Sequence, residues 1–218
     1  MKLGVLGGTF DPVHLGHLRI AVEVAEDAGL DQVWLIPAAR PPHKEGHRVT
    51  PFRHRMEMIR LALRGAPRLG VSDLEGKRGG VSYTVETLKE LHHMYPEDLE
   101  LHFIAGTDAF MEIRTWKDYP RLFEYAHFIL VRRPSVRAED LEKALEDLDR
   151  RVERIGDGEY RMPSSGCRVM EKEATYMDIS STRIRQAAAA GRSIRYLVPD
   201  RVHDYINQEG LYRQNEEP

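Results

Sequence analysis

The chain opens MKLGVLGGTFDPVHLGHLRIAVEVAEDAG, residues 1–29, and the reading of this stretch decides the fold. Leu3 to Leu6 form an apolar run far short of the ~20 residues of a membrane span, and too short for a signal-peptide core. The run suits a buried strand. Leu18, Ala21, Val22 and Ala25 then recur at i, i+3, i+4 and i+7, the spacing of one helix face. What lies between them, GGTFDPVHLGH, is therefore a strand-to-helix turn, the place where open α/β sheets hold ligands.

Within that turn Gly7 and Gly8 let the backbone bend and bring its N–H groups close to a ligand, and Pro12 stiffens the bend. His14 and His17 are three residues apart, so both rings can face one way, and Gly16 leaves room for a flat or bulky ligand at the helix start. Two imidazoles beside a helix N-terminus predict a donor-rich, partly positive site for phosphate oxygens. The same histidines could instead ligate zinc, but no third protein ligand stands nearby and H-E-x-x-H is absent. The turn also lacks the P-loop pattern and the spaced glycines of a dinucleotide fingerprint.

Outward from the turn, apolar runs and helical spacing alternate. Strands are predicted at 2–6, 32–36, 69–72, 100–105 and 127–131, with a sixth around 167–170. Thr50 before Pro51 reads as an N-cap followed by proline at the first helical position, and Gly29 and Gly65 close the first two helices. A third helix is expected at 84–93. The stretch 138–155 reads as one amphipathic helix, with Leu141, Leu145, Leu148 and Val152 on one side, and GDGEYRMPSSG (156–166) as a loop. Helices at 181–190 and 199–208 finish the chain. Strands separated by helices imply parallel pairing through right-handed crossovers. The expected architecture is α/β, a Rossmann-like doubly wound parallel sheet with a C-terminal helical extension. Residues 1–218 form one domain, with 180–218 packed on it.

Composition narrows the class. The 218 residues are 41% hydrophobic and 31% charged, an ordinary globular make-up with room for one sizeable core. A formal net charge of −3 gives no electrostatic case for nucleic acid or an anionic membrane as partner. Cys167 is the single cysteine, which excludes an internal disulfide and a cysteine-only metal site. No apolar run approaches a membrane span, so the cytoplasm is the default.

GTFDPVHLGH resembles the signature of the H-x-G-H nucleotidyltransferase superfamily, whose members transfer a nucleotide from a triphosphate and release pyrophosphate. The resemblance implies that His14 and His17 contact the triphosphate and stabilise the transition state. It also places Thr9 and Phe10 where the attacking group and the nucleotide meet. Far down the chain, Ser180, Ser181 and Thr182 stand at a helix start, where hydroxyls and free N–H groups cap the helix or bind phosphate. Read alone, this is plain capping with two solvent-facing arginines. ISSTRIR, however, resembles the I-S-x-T-x-x-R motif of the same superfamily, which implies that Ser180, Thr182 and Arg185 hold the β- and γ-phosphates.

The pieces GGTFDPVHLGH, PPHK, SYTVETL, GTDAF, TWKDY, RRP, ISSTRIR and LVPDRVHDYINQEGLY are together similar to the bacterial nicotinate-mononucleotide adenylyltransferase family, over nearly the full length. That family joins ATP and nicotinate mononucleotide into nicotinate adenine dinucleotide, releasing pyrophosphate, in NAD biosynthesis. The likeness implies that Tyr83, Thr84 and Trp116 hold the nicotinate ring, that Lys44 meets its phosphate, and that Gly106, Asp108 and Arg133 contact the nucleotide together with Gly7, Gly8 and Gly16. On spacing alone Lys44 is a surface charge and Trp116 is either core or an accessible stacking edge. Mg²⁺ is expected on the ATP rather than in a protein cage, and no protein metal ligand is assigned. Two departures stand out: Val81 occupies a place where relatives usually have proline, and 138–165 is longer than the family pattern. The sister enzyme acting on phosphopantetheine is opposed by the SYT and TWKDY blocks. Nicotinamide mononucleotide as acceptor, a non-catalytic ATP sensor and a homo-oligomeric state stay open as alternatives.

Overall fold

The first apolar run forms strand β1 (Lys2–Gly8), whose interior residues are buried on both faces. The computed structural model describes residues 1–42, 49–95 and 99–213. Seven further strands join β1 in one sheet: β2 (Gln32–Pro37), β3 (Leu69–Val71), β4 (Glu100–Gly106), β5 (His127–Val131), β6 (Glu153–Gly156), β7 (Glu159–Met162) and β8 (Cys167–Lys172). Their order across the sheet is β3-β2-β1-β4-β5-β8-β7-β6. The strands β1 to β5 and β8 run parallel, while β7 pairs antiparallel with β8 and with β6. Strand order reverses between β1 and β4, which opens a crevice at their carboxyl ends.

The helices are α1 (Leu15–Asp27), α2 (Phe52–Ala62), α3 (Leu74–Arg78), α4 (Thr84–Met94), α5 (Thr107–Met111), α6 (Tyr119–Tyr125), α7 (Ala138–Leu148), α8 (Ser181–Ala189) and α9 (Asp200–Gln208). They cover both faces. On one face Leu3, Phe103 and Phe128 pack with Leu88 of α4, Leu122 of α6 and Leu145 of α7. On the other, Leu6, Leu35 and Ile129 pack with Ala21 of α1, Ile59 of α2, Ile184 of α8 and Val202 of α9. The sheet is doubly wound, as the alternation of strand and helix predicts, and α8 and α9 form the C-terminal helical part.

Three expectations are corrected. The helix expected over 138–155 ends at Leu148, because Asp149 leaves helical geometry (φ −138°, ψ 107°). Its carboxylate accepts instead from the backbone of Arg151 and from the N–H and hydroxyl of Ser164, at 3.0, 3.0 and 2.6 Å. The stretch 156–166 is not a loop. Asp157 and Gly158 turn the hairpin between β6 and β7, with Gly158 at φ +63°, and Tyr160 and Met162 of β7 point into the core. The β6 residues are all exposed, and the β6–β7 register shifts between Arg154 and Gly156. Finally, Pro51 takes the N-cap position of α2 and Thr50 does not. The Thr50 backbone is engaged elsewhere: its N–H donates to Asp11 Oδ2 at 3.2 Å and its carbonyl accepts from Arg55 Nε at 2.8 Å.

Candidate active site

At the carboxyl end of β1 the turn delivers His14 as the N-cap of α1 and His17 one turn on. The rings stack with centroids 3.6 Å apart and planes 23° from parallel. The backbone N–H of His14 donates to His17 Nδ1 at 3.3 Å. Nδ1 is therefore the acceptor, and the neutral His17 ring carries its proton on Nε2. His14 is buried, and among the described residues its Nδ1 has no hydrogen-bond partner.

Burial pushes the His14 imidazole down to about 4, helped by the Arg133 guanidinium. Burial, then His14 and Arg133, hold His17 well below its ordinary value. Both rings are neutral at pH 7. The partly positive histidine pair expected from sequence is thus corrected: burial and the nearby Arg133 make the stacked rings resist protonation, and fixed charge comes from the arginines.

Gly16 and Gly8 also make room for protein rings. A Cβ on Gly16 would lie 3.2 Å from the His14 ring, and one on Gly8 would lie 3.0 Å from the Phe10 ring. Phe10 is 2% exposed and meets His17 edge-on at 5.0 Å, so its ring buttresses the imidazole from inside. Only the backbone of Phe10 is left to face a ligand.

The late motif docks on the same turn. Arg185 Nη1 donates to the Asp11 carbonyl at 2.6 Å, and Ser181 Oγ donates to the Pro12 carbonyl at 2.9 Å. Arg185 Nη2 reaches Thr182 Oγ1 at 3.3 Å. Ser180 caps α8, its Oγ accepting from the Arg183 N–H at 3.2 Å. Arg183 turns outward to Asp178 at 2.7 Å. Asp11, 2% exposed, anchors the assembly from beneath: Oδ2 takes the Thr50 N–H and Oδ1 takes the Tyr212 hydroxyl at 2.7 Å.

Across the switch point, β4 ends in Gly106 and β5 runs into Arg133. The Arg133 N–H donates to Thr107 Oγ1 at 3.0 Å, and its Nε lies 4.0 Å from Asp108 Oδ1. Both side chains lie over Gly106, and the Arg133 guanidinium is near enough to act on both histidines.

On the other side of the turn a cavity of about 280 Å³ is lined by Gly8, Thr9, Tyr83, Thr84 and Trp116, with Lys117 and Glu75 as its charged walls. Trp116 meets Phe103 edge-on at 5.9 Å, which fixes the indole while leaving it in the cavity wall. Lys117 Nζ lies 4.6 Å over the Tyr83 ring and 3.2 Å from Glu86. A strap over residues 38–40 ties this cavity to the turn. Ala38 N–H donates to the Gly8 carbonyl at 2.8 Å, Ala39 N–H to Ser82 Oγ at 2.8 Å, and Ser82 N–H to the Arg40 carbonyl at 2.9 Å.

The structure thus docks the start of α8, with Ser180, Thr182 and Arg185, on the turn that carries His14 and His17; Arg133 approaches the histidines beside Gly106 and Asp108, and Tyr83, Thr84 and Trp116 line the adjoining cavity. Lys44 lies outside the described residues. Sequence reasoning missed Asp11, Tyr212, Glu75 and Lys117. Lys117 follows Trp116 directly and Asp11 lies inside the turn; an unassigned charge next to an assigned residue was the available signal.

Comparison with known proteins follows the same lines. The cytidylyltransferase-like family model matches residues 5–187. A protein from Syntrophotalea carbinolica named probable nicotinate-nucleotide adenylyltransferase is 46% identical over 217 residues, covering 99% of each chain. One of the same name from Geotalea daltonii is 45% identical over 213 residues, covering 97% of this chain and 98% of its own. Among solved structures, the Plasmodium falciparum nicotinic acid mononucleotide adenylyltransferase complexed with NaAD superposes with a TM-score of 0.75 at 19% identity, covering 97% of both chains. That likeness concerns the fold. Among the described residues no helix is long and apolar enough to cross a membrane.

Proposed function

The chain belongs to the cytidylyltransferase-like family, as one of its nicotinate-nucleotide adenylyltransferases, and from that premise we propose how its site performs the reaction. The enzyme joins ATP and nicotinate mononucleotide to give nicotinate adenine dinucleotide and pyrophosphate, the adenylyl transfer of NAD biosynthesis. In our reading the acceptor phosphate attacks the α-phosphorus of ATP in line. The attacking oxygen is already anionic, so no strong base is needed, and catalysis comes from alignment and from donors placed where charge grows. His17 Nε2–H and the His14 ring face the triphosphate. Arg185, Ser180 and Thr182 hold its β- and γ-phosphates, with Arg133 as a second guanidinium. The backbone of Gly7 to Phe10 separates the two substrates, and the adenosine lies along Gly106 and Asp108. Tyr83, Thr84 and Trp116 hold the nicotinate ring, and Lys44 meets the acceptor phosphate.

The observation that carries this reading is the bond from Arg185 to the Asp11 carbonyl, which seats the late guanidinium at the histidine turn, one wall away from the aromatic cavity. Mg²⁺ would enter on the triphosphate. Among the described residues no group of three or more His, Cys, Asp or Glu could hold an ion alone. Imidazole and hydroxyl groups at the phosphates fit a cation held mainly by phosphate oxygens and water. We also infer that residues 1–218 act as one domain, since α8 and α9 share the core of α1 and α2, and that the enzyme works in the cytoplasm.

The test offers Mg–ATP with nicotinate mononucleotide, nicotinamide mononucleotide or phosphopantetheine to the purified protein and follows pyrophosphate. The first acceptor should show much the highest kcat/KM. Absence of pyrophosphate release, or a preference for either alternative, refutes the reading.

A further inference from the structure

The first turn of α2 carries a charged side chain to which the mechanism above gives no task. Arg55 is 1% exposed. Its guanidinium donates to four backbone carbonyls on three separate segments: Nε to Thr50 at 2.8 Å, Nη1 to Thr9 at 2.8 Å and to Ala38 at 2.7 Å, and Nη2 to Ala39 at 3.2 Å. The Phe52 ring covers it, 5.4 Å from the guanidinium carbon. A buried guanidinium is expensive to desolvate; the nearby Asp11 and Glu75 carboxylates offset part of that cost, but its direct hydrogen-bond partners are backbone carbonyls. What singles it out is where those carbonyls lie. In the reading above Thr9 belongs to the wall between the two substrates, and Ala38, which lines the aromatic cavity, continues into Ala39, whose N–H is held by Ser82 of the same cavity. The groups on the triphosphate side are fixed by other bonds, from Arg185 to Asp11 and from Ser181 to Pro12.

We propose that Arg55 is a positioning residue for the acceptor: its forked guanidinium holds the Thr9 and Ala38–Ala39 walls at the separation that aligns the acceptor phosphate, without touching either substrate. The inference rests on the proposed adenylyl transfer. A planar fork with five N–H donors can serve four carbonyls in different directions, whereas a lysine ammonium, with three donors on one atom, cannot span them. Charge and fork can therefore be separated.

Arg55→Lys keeps the charge and loses the fork. Measured well below the melting temperature and per folded molecule, it should raise the KM for nicotinate mononucleotide by roughly tenfold. Because sub-ångström misplacement of reacting groups is costly, kcat should fall by roughly ten- to hundredfold. KM for ATP should stay within about twofold, since the triphosphate groups have their own anchors. A lower melting temperature with unchanged kcat and KM values would make Arg55 a structural staple and overturn the proposal. So would equal changes in both KM values, or a change confined to ATP. Should Arg55→Lys not fold, Ser82→Ala reads the same strap: it removes the acceptor of the Ala39 N–H and should raise the acceptor KM alone, and an unchanged acceptor KM overturns the proposal. Failure of the adenylyl-transfer reading would look different, since the wild-type protein itself would release no pyrophosphate with nicotinate mononucleotide.

Discussion

Acid should unfold this protein through its histidines before its carboxylates. Burial holds His14, His17 and His102 neutral. His14 lies in the turn after β1, and His102 on β4 donates or accepts at Nε2 with Glu100 at 3.0 Å while its Nδ1 is buried without a partner among the described residues. Burial holds both at about 4, with Arg133 adding to the effect at His14 and His127 at His102. In the unfolded chain each imidazole titrates near 6.5. The sign follows directly. Between about pH 6.5 and pH 4 the unfolded state binds protons that the folded state refuses, so stability is full above the unfolded value and falls as pH drops. At about pH 5 each histidine contributes a loss of roughly 2 kcal/mol, so the pair removes about 4 of the 5–15 kcal/mol typical of a domain. Carboxylates whose affinity for protons is lowered by folding, such as Asp149 beside Ser164, act in a lower window, below about pH 4. Urea unfolding of the wild type and of His102→Gln at pH 7, 6 and 5, at constant ionic strength, separates the contributions. The variant keeps a donor for Glu100 but cannot titrate, so its loss between pH 7 and 5 should be smaller by roughly 2 kcal/mol. Parallel pH dependences for the two proteins, or a wild type equally stable at pH 5 and 7, would refute the reasoning.

Other expectations can be checked more simply. His17→Ala removes the Nε2 donor and should lower kcat by about a hundredfold or more with an unchanged circular dichroism spectrum; near-full activity rejects the assignment. Tyr212→Phe deletes one donor to the buried Asp11 carboxylate, an interaction worth about 1.5–3 kcal/mol. For a chain of this size its melting temperature should fall by roughly 3–12 °C, and a calorimetric shift under about 2 °C would show that Asp11 has another source of compensation. Cys167 is 1% exposed, and burial pushes its thiol up to about 12, so iodoacetamide should modify it only on unfolding. Rapid alkylation of the native protein, followed by mass spectrometry, would contradict that burial.

Much of the fold was readable because long apolar runs and helical spacing survive in any context. β1, β5, α4 and α8 fall within a residue or two of their expected places. The readings that failed were those in which tertiary contacts outweigh local pattern. Leu141, Leu145 and Leu148 continue helically to Val152, but the Asp149 carboxylate finds Ser164, and the chain turns into a hairpin. The alternation in Glu159–Met162 and the Asp157-Gly158 turn were the legible signals of that hairpin. α3, α5 and α6 are too short to show a period, and Glu75 and Lys117 were missed with them. In the site, motif spacing located the histidines and Arg185, but it did not reveal that Gly8 and Gly16 make space for protein rings. Nor could it show that the imidazoles are neutral, since that depends on burial. Arg55 was illegible for a further reason: its partners are backbone carbonyls, which leave no mark in sequence.

The outer strands bear on how these molecules behave when crowded together. A long, flat, apolar margin offers unpaired N–H and C=O groups on which a neighbouring chain can template itself. Here one margin, β3, is three residues long. The other, β6, is four residues long, carries Glu153 and Arg154, and is put out of register between Arg154 and Gly156. Neither offers a foothold for zippering one copy onto the next, and the hairpin that lengthens the sheet also seals its growing end.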